Sequence, residues 1–271
     1  MTKDHFKTLR NDHLLFQKLK TENPAWWQFI KKNIKPGGFY VDVRKDNSLN
    51  VYYNGGSLAK ITLLGGNFNG KMHESYLGKT GSKYDDYDLQ CLSEEEAGAM
   101  IKKIEKRFSG TSESGIKARL ICDPDAHYID SEFAYPKDID NDNPAIRIDL
   151  TKLESGKIIF VELKRIQDGR LLTDEYEDGS PEILNQMKAY HKFIKDRKQD
   201  ITDYYKKLFI IKRDLGILPQ NIAHIDNIDH HTLSEDIELY IEPYSSSTPA
   251  RERRVKAIRT ILKKNSIINN L

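Results

Sequence analysis

The stretch "AIRIDLTKLESGKIIFVELKRI", residues 145–166, decides the reading of this chain. It holds two apolar runs, each broken by acid: Asp149 stands between Ile148 and Leu150, and Glu162 between Val161 and Leu163. An ionised carboxylate in an apolar interior is costly unless it is paired or coordinated. In a strand, residues i and i+2 share a face, so Glu162 and Lys164 project together while Val161 and Leu163 point the other way. Asp149 belongs to the preceding strand, and if the two strands pair, the three polar heads converge. Glu132 in "DSEFAYP", one strand earlier, offers a further carboxylate. Carboxylates held close repel one another, and a divalent cation relieves the repulsion. Hard oxygen ligands with open water positions suit Mg2+, which shares its shell with substrate phosphates; Mn2+ is expected to substitute. Lys164 adds a positive charge that can orient an attacking water, help to deprotonate it, or stabilise negative charge developing on phosphorus.

The segments around this stretch give the organisation. Upstream, residues 4–20 carry Phe6, Leu9, Leu14, Phe16 and Leu19 at helical spacing, and "NPAWWQFIKKNI" reads as a second helix with Pro24 at its first position. From Phe39 short alternating strands, broken by Asp-Asn and Gly-Gly turns, predict an antiparallel meander. "LSEEEAGAMIKKIEKRF" predicts a helix with a Ser93–Glu96 capping box, and "SGTSESG" after it reads as a loop. Three strands follow, "HYIDSEFAYP", "AIRIDLTKL" and "KIIFVELKRI", the last apolar enough to be covered on both faces. A polar loop with Asp174, Glu175, Glu177 and Asp178 leads to a helix from Ser180-Pro181 to about residue 198. "KLFIIKR" reads as a buried strand, "DIELYIEPY" as another, and a helix follows from Thr248-Pro249 to about residue 264.

Bulk properties exclude more than they select. The charged fraction is 31%, the hydrophobic fraction 38% and the net charge +2, so a nucleic-acid partner would need local segregation of basic residues. Cys91 and Cys122 form no CxxC, which argues against a zinc site or disulfide framework and for reduced thiols in a cytoplasmic protein. The first residues do not resemble a signal peptide. No apolar run approaches a membrane span, so no membrane partner is expected.

Asp149 in "RIDL" and Glu162-Leu163-Lys164 in "VELK", separated by a short hairpin, resemble the PD-(D/E)xK nuclease superfamily, the restriction-endonuclease-like fold. Ile148 stands where the family name has proline. The family core is a helix, a three-stranded meander bearing the acids, a helix and a further strand, and the resemblance covers roughly residues 90–215. It implies metal-dependent phosphodiester hydrolysis, with Asp149 and Glu162 as metal ligands and Lys164 as the water-positioning residue. The family often adds an acid from the first core helix or strand: Glu132 is assigned here, with Glu94 the alternative. Gln186 and Tyr190 in "NQMKAYHKF" resemble a QxxxY element carried by some branches after ExK, and their spacing puts them on one helical face. Core packing is the competing explanation for that pair.

Arg251, Arg254 and Arg259 on the last helix are candidate phosphate contacts, against a solvated basic face. Trp26 and Trp27 could stack bases but more often anchor a core. "DHH" at residues 229–231 reads as a solvated turn rather than a metal site. The expectation is therefore an α/β protein with a restriction-endonuclease-like core, a central mixed sheet flanked by helices, over residues 89–271. An N-terminal α+β antiparallel meander domain, a substrate-binding or oligomerisation unit, occupies 1–88. The expected function is a Mg2+-dependent nuclease of restriction, defence or repair type, most naturally a DNA endonuclease; double-strand cutting would favour a homodimer. The alternatives are a nucleic-acid-binding or protein-interaction module that keeps the fold without turnover.

Overall fold

The computed structural model describes residues 6, 8–35, 37–80, 83–108, 110–125, 127–137, 145–172 and 180–271. The chain divides into two compact units: residues 1–130 with 203–230, and residues 131–202 with 231–271. The boundary expected at residue 88 falls inside the first unit.

Unit 1 begins with α1 (Leu14–Glu22) and α2 (Ala25–Lys32). Five strands follow, β1 (Phe39–Val43), β2 (Leu49–Tyr53), β3 (Gly56–Leu64), β4 (Asn67–His73) and β5 (Tyr84–Tyr87). They pair antiparallel in sequence order, the expected meander. Its second hairpin turns through Asn54 (φ 45°) and Gly55 (φ 81°), the paired left-handed residues that match strand twist in a tight hairpin. At Gly55 a side chain is excluded twice, because a Cβ there would also lie 2.4 Å from the Ser114 carbonyl oxygen.

Two helices complete this part of the chain, α3 (Glu94–Arg107) and α4 (Glu113–Ile121). Ser93 caps α3 by accepting the Glu96 N–H at 3.3 Å. α4 begins inside the segment read as a loop: Ser112 accepts the Gly115 N–H at 3.1 Å, so the small polar residues taken as loop signals include a helix cap. Trp26 and Trp27 are both buried and pack edge-to-face, with ring centroids 6.2 Å apart; they are core anchors.

The remaining strands are β6 (Tyr128–Tyr135), β7 (Ile146–Glu154), β8 (Lys157–Arg165), β9 (Thr232–Leu233) and β10 (Glu238–Glu242). They form a mixed sheet in the order β10-β8-β7-β6, with β9 also pairing β8. β7 and β8 are antiparallel around a turn at Ser155 (φ 50°) and Gly156 (φ 73°); β10 runs parallel to β8. β8 is buried from Ile158 through Lys164 with only its ends exposed, as a strand covered on both faces requires. The helices that follow are α5 (Glu182–Asp196), α6 (Lys198–Leu215) and α7 (Pro249–Lys264). The whole is a mixed α/β protein, with one antiparallel five-stranded sheet and one mixed sheet flanked by helices.

One element differs in kind from the sequence reading. "KLFIIKR", read as a strand, lies in the second half of α6. Its buried side chains continue a series from further upstream: Ile201, Tyr204, Tyr205, Leu208, Phe209 and Lys212 are all buried. These positions follow the i, i+3, i+4, i+7 rule of one helical face. A seven-residue window is too short to separate that rule from a continuous apolar run.

Candidate active site

The β7–β8 ladder runs from Glu154 opposite Lys157 to Leu150 opposite Val161. At the next step a side chain takes over: Asp149 Oδ2 accepts the Leu163 N–H at 2.9 Å. From Val161 to Arg165 the other edge of β8 pairs with β10. Asp149 therefore reaches β8 where Glu162 and Lys164 leave it. Glu162 and Lys164 are each 3% exposed, and they share a face as period-2 alternation demands, with Lys164 Nζ donating to Glu162 Oε1. The interior apolar run thus holds its charges by pairing them.

Helix α5 closes the site from the side. Gln186 Nε2 donates to Glu162 Oε1 at 2.9 Å and to Tyr190 Oη at 2.6 Å. The Tyr190 hydroxyl donates in turn to the Arg147 carbonyl on β7. Tyr190 is buried with Ile183, Met187 and Ile194, as core packing expects, and its hydroxyl meets Gln186 beside Glu162.

That network is incomplete. Glu162 Oε2 and Gln186 Oε1 are buried without a hydrogen-bond partner. Burial pushes the Glu162 carboxyl up to about 7; the Lys164 charge opposes this and the Asp149 charge adds to it. Burial, then the Glu162 charge, raises the Tyr190 hydroxyl above its ordinary range. A buried carboxyl beside a second carboxylate carries repulsion that either protonation or a nearby cation relieves.

Sequence reasoning missed Arg170. It sits in a 3-10 turn just after β8, gripped by Asp168 through Nε–Oδ1 at 3.0 Å and Nη2–Oδ2 at 2.6 Å. The Asp168 hydrogen bond raises its pKa above the usual range, and its charge also acts on Glu162. The signal was present in "QDGRL", directly after "VELKRI". Asp168 is itself fixed by α7: Arg254 donates to the Ile166 carbonyl at 2.8 Å and to the Asp168 carbonyl at 2.8 Å. Arg254, assigned from sequence to phosphate contact, spends its guanidinium on holding this loop.

The other assignments separate. Glu132 is exposed on β6 with φ 56°, a left-handed backbone that interrupts alternation after three consecutive buried residues, Ile129 to Ser131. Glu94 is exposed in the first turn of α3. Arg251 stacks on Tyr244, 4.8 Å from the ring centroid, and donates to the Ser246 carbonyl at 2.9 Å. Arg251, Lys256 and Arg259 line an open groove of ≈ 410 Å³ along α7. Asp229 and His230 are exposed in a turn. The acidic residues Asp174, Glu175, Glu177 and Asp178 lie outside the described residues. Among the described residues, no group of three or more His, Cys, Asp or Glu is arranged to hold a metal ion, and no helix is long and apolar enough to cross a membrane. No family model, curated protein or solved structure matches this chain.

Proposed function

We propose that this protein is a Mg2+-dependent nuclease whose reacting centre is Asp149, Glu162 and Lys164. The observation that carries the reading is the buried, unpartnered Glu162 Oε2 beside a second carboxylate and a lysine. The donor set fits the ion: Mg2+ binds through one or two carboxylates and fills its remaining positions with water and phosphate, and two acids are what the forked strands offer. Asp149 and Glu162 would hold it, with Glu132 the further ligand only if its side chain turns toward them. When bound, Mg2+ supplies charge neutralisation and a lowered pKa for water. The element order lends support to a restriction-endonuclease-like core: helices α3 and α4, the consecutive strands β6 to β8, helices α5 and α6, and a further strand, supplied by β10 instead of residues 207–213.

This chain's own groups have separable tasks. Asp149 is oriented by the Leu163 N–H, and Glu162 by Lys164 and Gln186. Lys164, which donates to Glu162, would position the attacking water and offset charge developing on phosphorus. Arg170 adds fixed positive charge at the rim, held by Asp168 so that little reorganisation is needed when a phosphodiester arrives. DNA is the proposed substrate.

The test is incubation with circular single- and double-stranded DNA and with RNA, with and without Mn2+, for the native chain and the variants Asp149→Ala and Lys164→Ala. Cleavage of circular DNA by the native chain alone is expected, with both variants folded and inactive. A variant that cuts at the native rate removes its residue from the role assigned. Absence of cutting on every substrate, with tight nucleic-acid binding retained, returns the protein to the class of non-catalytic binders.

A further inference from the structure

Unit 1 contains a second concentration of buried charge. Strand β1 contributes Asp42 and Arg44 next to its end, β6 contributes Asp130, and α6 contributes Lys212. Asp42, Asp130 and Lys212 are 2%, 4% and 4% exposed. Asp42 is well supplied: Lys212 Nζ lies 3.3 Å from its Oδ1, and Arg44 Nη2 lies 3.2 Å from its Oδ2. Asp130 is not. Its Oδ2 accepts the Tyr205 hydroxyl at 3.2 Å. Its Oδ1 is buried with no hydrogen-bond partner, and Arg44 Nη1, at 3.8 Å, is beyond hydrogen-bond reach. Burial, then the Asp42 charge, pushes the Asp130 carboxyl up to about 7. Lys212 Nζ can donate three hydrogen bonds and gives one to Asp42.

Asp42, Asp130 and Lys212 line a cleft of ≈ 120 Å³. Its lining runs from exposed Lys35, Asp123 and Gln220 to buried Asp42, Asp130 and Lys212, so it opens to solvent. Tyr40, which also lines it, is stacked on Tyr52 with centroids 4.9 Å apart. The volume sets the ligand's size, because an apolar cavity of about 150 Å³ takes up benzene; the space here is that of one six-membered ring. The polar groups set its pattern, an acceptor lacking a donor beside a lysine with donors to spare. Two neighbouring cations argue against a metal ion. A ring that carries an N–H next to a carbonyl meets both needs.

We propose that this cleft binds a monocyclic lactam, the ring class of uracil and thymine, with a ring N–H donated to Asp130 Oδ1 and the adjacent carbonyl accepting from Lys212. The site is independent of the nuclease reading.

The test is isothermal titration of the intact protein with uracil, with uracil methylated on both ring nitrogens, and with hypoxanthine, a bicyclic lactam. Uracil is expected to bind saturably. At about pH 8.5, where Asp130 is ionised, the methylated ring should bind at least tenfold more weakly, as expected for losing a hydrogen bond to a charged acceptor, and hypoxanthine should be excluded by size. Asp130→Asn should weaken uracil binding; if that variant fails to fold, the ligand series on the native protein still decides. No heat with uracil, as expected if ordered water alone fills the cleft, overturns the proposal. So does equal affinity for uracil and its methylated form.

Discussion

Replacing Glu162 by glutamine should make this protein more stable at neutral and alkaline pH, although it removes a residue from the proposed reacting centre. The carboxyl of Glu162 rises from 4.5 to about 7 on folding, because burial outweighs the help it receives from Lys164. The raised value fixes the sign: the fold favours the protonated acid, so its contribution is fully present below the unfolded value and is lost as pH rises through the folded one. At about 1.4 kcal/mol for each pH step of one, the loss between those limits is about 3 kcal/mol. Glutamine keeps the shape and hydrogen-bonding capacity of the protonated acid and cannot ionise. The stability of Glu162→Gln relative to native should therefore climb by about 3 kcal/mol from about pH 4.5 to about pH 8.

Urea denaturation at a series of pH values measures this difference. Asp130, also raised to about 7 by burial, titrates in both proteins and cancels from it. A difference that stays flat with pH refutes the claim that Glu162 is held against ionisation. Adding Mg2+ at the alkaline end should recover stability in the native protein, by about 2.7 kcal/mol at a concentration near a hundred times Kd, and should do little for the variant.

Other expectations follow from single contacts. Tyr190→Phe strands the Arg147 carbonyl and removes the acceptor for Gln186; a cost of about 1–3 kcal/mol is expected by urea denaturation, and no cost would mean the hydroxyl is not part of the network. Arg254→Ala should lower stability by about 3 kcal/mol, since two carbonyls lose a charged donor, without changing the salt dependence of DNA binding. Arg259→Ala should do the reverse, reducing the slope of log K against log salt by about 0.7–0.9 at unchanged stability; if the two phenotypes are exchanged, the roles are exchanged. Phe209→Ala should cost about 3–5 kcal/mol, because its ring is fully buried on α6; a cost below 1 kcal/mol would remove it from the core.

The acids and the lysine were legible in sequence because period-2 alternation is a local rule: Glu162 and Lys164 must share a face once 157–165 is a strand. The meander was legible for a similar reason, since the Asp46-Asn47 and Gly65-Gly66 pairs favour the left-handed backbone that tight turns need. The failures were also local. The four apolar residues of 207–213, Leu208 to Ile211, satisfy strand and helix alike, and only the longer buried series from Ile201 to Lys212 resolves them. The serine of α4 caps a helix or opens a loop with equal ease until the helix packs. What the sequence determined by itself was the meander, the strands that became β6, β7, β8 and β10, and the shared face of Glu162 and Lys164, because each depends on neighbours along the chain. The tertiary structure decided that Asp149 bonds the Leu163 amide, that Arg254 holds a loop instead of facing outward, and that Asp42, Asp130 and Lys212 meet in one cleft. Those contacts join residues fourteen to one hundred and seventy positions apart, and no periodicity along a chain encodes a meeting at such separations.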